Sequence, residues 1–265
     1  VVHGGDREAA VVAGDALAGG GVHQFQVHRE AGGGTDHGRD RRRHTVCDSL
    51  RHHVDDVAEA FAAEVVGADV HLVRAGAYYH DIGKIVQPEF FIENQNNREN
   101  PHDAMDANSS CELLKSHVRD GIEIAEQYGL PQAVIDLIAE HHGTTVLEAF
   151  YSKAKKDQPA MGCSPDFFRY GGPKPRRVES GILMIADVVE AVGRLLTTTD
   201  PVEVRQEVHQ VVVKKFDDGQ FDQCGFSTRS LARMESAIAQ TLLRILHKDP
   251  LHSHVHRDDI TRWHL

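Results

Sequence analysis

The sequence predicts an all-α protein built as a helical bundle, and three observations support this. Apolar residues recur at spacings of three and four along most of the chain after residue 46. No stretch alternates apolar and polar residues for long enough to predict a sheet. Residues 179–196 are apolar on nearly every side, so their helix is expected at the centre of the bundle.

The first expected helices form a pair. Apolar residues at helical spacing run over residues 57–65 and again over residues 72–79, with a break at Gly67. Residues 88–101 are rich in asparagine and predict a polar loop.

Six more helices are expected after this loop. The first of them should begin at a capping box formed by Ser109 and Glu112, in which each side chain bonds the backbone of the other. The others are expected after Pro131, near Leu147, and over residues 179–196, 201–216 and 227–246.

Composition divides the chain into three parts. Residues 1–43 hold ten of the 23 glycines and show no sustained apolar period, so this Gly/His-rich segment is expected to be disordered or loosely attached. A misread coding frame, a truncated gene or a plain glycine-rich linker would each explain it. Residues 44–246 are expected to form the folded domain, and residues 247–265 a frayed, histidine-rich polar tail.

Net charge and hydropathy argue against some classes of binding partner. The chain has 40 acidic and 29 basic residues, a net charge of −11, which argues against nucleic acid or an anionic membrane surface as the general partner. A nucleotide can still bind locally. The longest apolar runs fall far short of the roughly 18 residues that span a bilayer, so a soluble, cytoplasmic protein is expected. Four cysteines without CxxC spacing predict reduced thiols.

The unusual feature is the number and placement of the 19 histidines. Metal-competent side chains stand at four places where an apolar helical stripe would otherwise continue: His80 with Asp81, His117, His141 with His142, and Asp187. A lone inward histidine is usually a hydrogen-bonded core residue. Four such clusters in one chain favour metal ligands instead.

Asp187 is the candidate ligand with the most unusual sequence context. It interrupts the apolar run Ile-Leu-Met-Ile-Ala-Asp-Val-Val, where an unpaired buried carboxylate would cost several kcal/mol. A nearby cation would remove this cost. The alternative, a surface aspartate beside Glu190 and Arg194, remains open at this point.

The dipeptide His80-Asp81, followed by Ile-Gly-Lys, begins an ordered series of motifs. Over about residues 57–246 the chain resembles the HD superfamily of metal-dependent phosphohydrolases. It is most similar to the cytoplasmic HD domain of the seven-transmembrane HD proteins that hydrolyse cyclic di-AMP. The matching stretches are GAYYHDIGK (76–84), PEFFIENQ (88–95), NPHD (100–103), SHVRDG (116–121), EHHGTT (140–145), FRYGGPKP (168–175) and MIADVVEA (184–191).

The resemblance implies a helical HD-domain bundle with a dimetal site in its core, holding two divalent ions, manganese or iron. Asp81 would bridge the ions and take part in catalysis. The remaining implied ligands are His80 and Asp187 for the first ion, and His117, His141 and His142 for the second. Such a mixture of imidazole and carboxylate suits manganese or iron better than calcium or magnesium.

Three basic residues are candidates for phosphate contacts. Lys84 follows the His80-Asp81 dipeptide closely, and it is either a catalytic phosphate contact or a solvated surface lysine. Arg169 and Lys174 lie on a loop rich in proline and glycine and are candidate substrate-binding residues.

One position departs from the family pattern. The family has a histidine ligand of the first ion about 29 residues before the HD dipeptide, and Arg51 stands there in this chain. His53 is the candidate replacement, with neighbouring His52 as an alternative and His44 as a more remote one.

Taken together, the resemblance implies a phosphodiesterase that hydrolyses a cyclic dinucleotide, cyclic di-AMP to linear pApA, with a hydroxide activated by two metal ions. An HD nucleotidase acting on phosphomonoesters is one alternative. A metal-binding or ligand-binding HD module that has lost turnover is another. The related full-length proteins are membrane-anchored, and the sequence does not predict the oligomeric state.

Overall fold

The computed structural model describes residues 9–12, 26–29, 55–95, 99–157, 164–196 and 198–248. Within these ranges the fold is a bundle of eight α-helices, which confirms the all-α prediction. The helices are α1 Asp55–Val66, α2 Val70–Tyr79, α3 Ala107–Gln127, α4 Gln132–Glu140, α5 Glu148–Asp157, α6 Val178–Gly193, α7 Pro201–Asp217 and α8 Thr228–Lys248.

Two short strands lie in the amino-terminal segment and were not predicted. β1 (Ala9–Val12) pairs antiparallel with β2 (Gln26–Arg29), with Val11 opposite Val27. Strands of four residues are too short for an alternating pattern to stand out from the sequence. The expectation that residues 1–43 are disordered or loosely attached stays a prediction beside these strands. The predicted domain boundaries stay predictions, and α8 runs two residues past the expected end at residue 246.

Helix α6 is the centre of the bundle, as its apolar sequence predicted. Its residues Ile182, Leu183, Met184 and Ile185 are at most 1% exposed. The helices α1, α2, α4, α7 and α8 pack around it. Packing against these five helices explains why α6 is apolar over most of its surface. Neither α6 nor any other helix in the described ranges is long and apolar enough to cross a membrane.

The start of α3 corrects one local prediction. The helix begins at Ala107, and its N-cap is Asp106, whose carboxylate accepts a hydrogen bond of 2.9 Å from the backbone N–H of Ser109. An aspartate at this position satisfies a free N–H of the first turn and interacts favourably with the helix dipole. Ser109 therefore lies inside the first turn and does not form the predicted capping box with Glu112.

The loop between α2 and α3 contains three short 3-10 turns, Pro88–Phe90, Ile92–Asn94 and Pro101–Asp103. A further 3-10 turn, Ile82–Val86, follows α2 and packs on the backbone of α3. The contact is close because a Cβ added at Gly83 would lie 1.9 Å from the carbonyl oxygen of His117 and 2.5 Å from the backbone nitrogen of Gly121. Glycine at position 83 thus brings the segment after α2 against the middle of α3.

We expect Gly83→Ala to destabilise the protein by about 1–3 kcal/mol, because the added methyl group clashes with backbone atoms, which cannot change rotamer as a side chain can. Gly171→Ala is the matched control, since a Cβ at Gly171 meets no atom within 4 Å. Urea unfolding followed by circular dichroism measures both changes. Equal midpoints for the two variants would contradict the close approach of these segments.

Candidate metal centre

The predicted ligands come from four separate helices. His80 and Asp81 follow the last residue of α2, and His141 and His142 follow the last residue of α4. His117 lies in α3 and Asp187 in α6. The structure brings these six side chains together, whereas His52 and His53 lie outside the described residues.

The six side chains form two groups that share one carboxylate. In each group, one ligand atom per residue lies within 4.8 Å of all the others. One group is Asp81, His117, His141 and His142, and the other is His80, Asp81 and Asp187. Asp81 thus faces both groups, as expected for a bridging residue.

The hydrogen bonds of two histidine rings fix which nitrogen carries hydrogen. Nδ1 of His117 lies 2.6 Å from the carbonyl oxygen of Leu114, and Nδ1 of His141 lies 2.7 Å from that of Ile138. A carbonyl oxygen only accepts, so each Nδ1 must donate. Burial lowers the pKa of His117 to about 4 and that of His141 well below its usual value, so both rings are neutral near pH 7. Each Nε2 therefore presents a lone pair.

These lone pairs converge on a buried carboxylate oxygen. The Nε2 atoms of His117 and His141 are 3.3 Å apart, and they lie 3.5 and 3.9 Å from Oδ1 of Asp81. Among the described residues, no donor forms a hydrogen bond to this Oδ1. Three acceptors that face one another in a buried site repel unless a cation lies between them. The donor set therefore fits a divalent metal ion.

The second group carries a different charge. Burial alone would lower the pKa of His80, but the carboxylates of Asp81 and Asp187 raise it to about 10. His80 Nε2 lies 3.2 Å from Oδ2 of Asp81 and 3.9 Å from Oδ1 of Asp187. A protonated imidazole thus occupies this group when no metal is bound.

Asp187 faces this site and is not an exposed surface aspartate, while its role as a metal ligand stays a prediction. Its Oδ2 lies 3.6 Å from Nδ1 of His142, and burial raises its pKa to about 6 despite the opposing charge of His80. Arg194, its suggested surface partner, is paired with Glu190 instead.

Lys84 is buried beside the shared carboxylate and is not a solvated surface lysine. Its Nζ lies 2.6 Å from Oδ2 of Asp81 and 2.7 Å from Oε1 of Glu93. Burial would lower the pKa of Lys84, but these carboxylates raise it well above its usual value. Sequence reasoning did not single out Glu93, although it lies in a quoted motif.

Two aromatic rings hold the histidines in place. Tyr170 stacks on His142 with ring centroids 4.2 Å apart and an angle of 24°, and its backbone N–H donates to the carbonyl oxygen of Thr145. Phe91 meets the ring of His117 edge-on at 5.7 Å. Both residues lie in motifs quoted for the resemblance, but nothing in their spacing marked them as part of the site.

The loop cations Arg169 and Lys174 both form hydrogen bonds and ion pairs within the protein. Arg169 Nη1 donates to the carbonyl oxygen of Thr144 at 2.8 Å and to the carboxylate of Asp218 at 3.0 Å. Lys174 Nζ donates to the carbonyl oxygen of Gly219 at 2.9 Å and lies 3.2 Å from Asp222. These bonds tie the loop before α6 to the connection between α7 and α8. Phosphate binding by these two residues stays a prediction, and a phosphate would have to compete with the carboxylates.

Glu140, which directly precedes His141, is a buried carboxylate that sequence reasoning missed. It is 1% exposed and accepts hydrogen bonds from Arg176 Nε at 2.7 Å and from Ser180 Oγ at 2.6 Å. These bonds join the end of α4 to the segment that begins α6, so the two elements that carry His141 and Asp187 are held together. A charged residue on the apolar face of α4 was the available signal.

Comparisons with known proteins agree with the geometry. The model of the HD domain family matches residues 45–192. The cyclic-di-AMP phosphodiesterase PgpH of Bacillus subtilis (strain 168) is 39% identical over 194 residues, which cover 73% of this chain and 27% of that protein. The chain thus spans about a quarter of the length of this relative.

Solved structures match over most of their length. The crystal structure of the PgpH HD domain of L. monocytogenes is 38% identical, with a TM-score of 0.67, and the match covers 73% of this chain and 90% of that one. The same domain in complex with cyclic-di-AMP gives a TM-score of 0.68, covering 72% and 88%. The similarity therefore extends through the fold and the segments that carry the site.

The contrast between the two groups predicts different proton release on metal binding. Near pH 7 His80 carries a proton that it must lose to bind a metal, whereas His117 and His141 are already neutral. Filling the His80 group should release about one proton, and filling the other group none. Calorimetric titration with Mn²⁺ in buffers of different ionisation enthalpy measures this release. A release that persists in His80→Gln would contradict the assignment.

Proposed function

Because this chain belongs to the HD domain family, we propose that it is a metal-dependent phosphodiesterase that hydrolyses cyclic di-AMP to linear pApA. The observation that carries the metal dependence is the convergence of the unprotonated His117 and His141 nitrogens on Oδ1 of Asp81. The choice of substrate rests on the similarity to proteins named cyclic-di-AMP phosphodiesterase and to an HD domain solved in complex with cyclic-di-AMP.

Two divalent ions, manganese or iron, are part of this proposal. His117, His141 and His142 with Asp81 would hold one ion, and His80, Asp187 and Asp81 the other, with His53 as the further candidate ligand. The mixture of neutral imidazole and carboxylate supports these metals over calcium and magnesium, which prefer oxygen ligands. When bound, such ions supply Lewis acidity to a water molecule and to phosphate oxygens.

The chain's own residues would position the reacting groups. Asp81 is fixed by Lys84 and His80, so its two oxygens keep their directions toward the two groups. An ammonium group has three N–H donors, and Lys84 uses two on Asp81 and Glu93. We assign the third to a phosphate oxygen of the substrate, which gives Lys84 its catalytic role. Arg169 and Lys174 are proposed as outer contacts of the substrate.

The excess of acidic residues supports a small substrate. A net charge of −11 repels a long nucleic-acid backbone, while a cyclic dinucleotide brings only a pair of phosphates that local cations can bind. A cytoplasmic location, and a membrane-anchored full-length protein, are implied by the resemblance and belong to the same proposal.

The direct test is product analysis. We expect manganese-loaded protein to convert cyclic di-AMP to pApA in preference to cyclic di-GMP and mononucleotides, as measured by chromatography. Asp81→Ala should abolish turnover and lower metal content at both positions, because its carboxylate faces both ligand groups. Hydrolysis of mononucleotides alone would favour a nucleotidase, and full activity of the alanine variant would overturn the proposal.

Asp187→Asn should reduce turnover by at least about a hundredfold while the helix content stays unchanged, because the amide removes an anionic ligand without opening a cavity. Elemental analysis and circular dichroism accompany the rate measurement. Asp217→Asn, at an exposed position that ends α7, is the matched control and should behave like the wild type. Normal metal content and rate in Asp187→Asn would show that this carboxylate is not a ligand.

The missing first-helix histidine gives a further prediction. The group with three histidines and Asp81 should bind metal more tightly than the His80 group, which has fewer described ligands. If no upstream histidine completes the His80 group, the chain should hold about one tightly bound ion, and Arg51→His should raise metal content and rate. If the wild type holds two tightly bound ions and His53→Ala loses one of them, His53 already acts as the ligand that completes the His80 group.

A further inference from the structure

One lysine of α7 continues the face of that helix that is buried in the bundle. The buried face of α7 contains Val204, Val208, Val211 and Val212, and Lys215 follows at the next helical step of the same face. Helices α6 and α7 pack together, and α6 carries Asp187. Lys215 therefore extends the inward face of α7 toward the end of the site that holds Asp187.

Hydrogen bonds fix Lys215 beside the turn that carries His142. Its carbonyl oxygen accepts a hydrogen bond of 3.0 Å from the backbone N–H of Gln220. The side chain of Gln220, which is fully buried, accepts a hydrogen bond of 2.9 Å from the N–H of Thr144. Thr144 is the second residue after His142, so Gln220 alone links the backbone of Lys215 to that of the segment that follows His142.

The ammonium group of Lys215 has no close acid. Asp187 exerts the strongest attraction on it, yet within the described part of the chain no carboxylate lies within 4.0 Å of Nζ and no acceptor forms a hydrogen bond with it. Burial lowers the pKa of Lys215 to about 8, and the attraction of Asp187 offsets only part of this effect. An anion bound next to the Lys215 ammonium, at the end of the site that holds Asp187, would keep this lysine fully protonated.

The other cations around the site differ in this respect. Lys84, Arg169 and Lys174 each form an ion pair with an aspartate at 3.2 Å or less. Their charges are thus largely neutralised by the protein itself. Lys215 keeps its charge available for a ligand.

We propose that the Lys215 ammonium binds a phosphate oxygen of the substrate at the Asp187 end of the site. Lys215 is then a substrate-binding residue that sequence reasoning did not identify. This inference rests on the proposed phosphodiester substrate for its function, but its phosphate chemistry can be tested without turnover.

The first experiment compares Lys215→Met, Lys215→Arg and Lys214→Met in the full manganese-loaded chain. Lys214 is the matched control, since its side chain is 62% exposed and lies 4.0 Å from Glu148. We expect Lys215→Met to raise the KM for cyclic di-AMP at least about tenfold at unchanged metal content, as expected for one charge-assisted hydrogen bond. The arginine variant should recover most of the affinity, and the control should match the wild type.

The second experiment measures binding of inorganic phosphate to the same proteins by calorimetry. Lys215→Met should bind phosphate about tenfold more weakly than the wild type. If the wild type does not hydrolyse cyclic di-AMP but phosphate affinity still falls in Lys215→Met, the proposed function fails and this assignment stands. Phosphate affinity that is equal in both proteins, or undetectable in the wild type, overturns the assignment. So does a KM for Lys215→Met within twofold of the wild-type value.

Discussion

The buried encounter of two unprotonated imidazole nitrogens with a carboxylate oxygen is the constraint on which the site depends. His117 and His141 turn their lone pairs toward Oδ1 of Asp81 because each Nδ1 donates to the carbonyl three residues earlier. The Nδ1 of His80 lies 3.0 Å from the carbonyl of Ala77 in the same relation. Three rings are thus oriented by the turn of helix that carries them, and the Nε2 atom of each faces Asp81. Without a cation this arrangement is repulsive, so the fold must hold it in place.

That support comes from backbone contacts and from the hydrogen bonds of one buried glutamate. Gly83 lets the segment after Asp81 pack directly on α3, which carries His117. Glu140 joins the end of α4 to the segment before α6 through Arg176 and Ser180. Each connection ties a ligand-bearing element to another, so the ligand spacing follows from the packing of the bundle. Such supporting interactions are what keep a metal site close to the geometry that its ion requires.

Charge is distributed unevenly around this centre. Lys84 lies between two carboxylates, and the loop cations Arg169 and Lys174 are paired with aspartates of the α7–α8 connection. These pairs stabilise loops that surround the site, and each carboxylate offsets part of its cation's attraction for phosphate. Lys215 differs because the strongest attractive charge on it, that of Asp187, lies beyond ion-pair distance. Lysines around the site thus differ in how much of their charge is left for a ligand, according to whether the fold places an acid beside them.

The sequence alone determined the helical class, the approximate helix ranges and the six candidate ligands that the structure brings together, because each candidate interrupts an apolar stripe or lies in a recognisable motif. Helical periodicity is local, and so it can be read without a structure. The N-cap of α3 was missed because Asp106 and Ser109 compete for one local role, and the short strands were missed because four residues carry too little pattern. The contributions of Glu93, Glu140, Tyr170 and Lys215 were recognised only in the tertiary structure. Their significance depends on contacts between residues that are distant in sequence. It also depends on which cationic side chains form ion pairs with carboxylates. Both are determined by the packing of the helices.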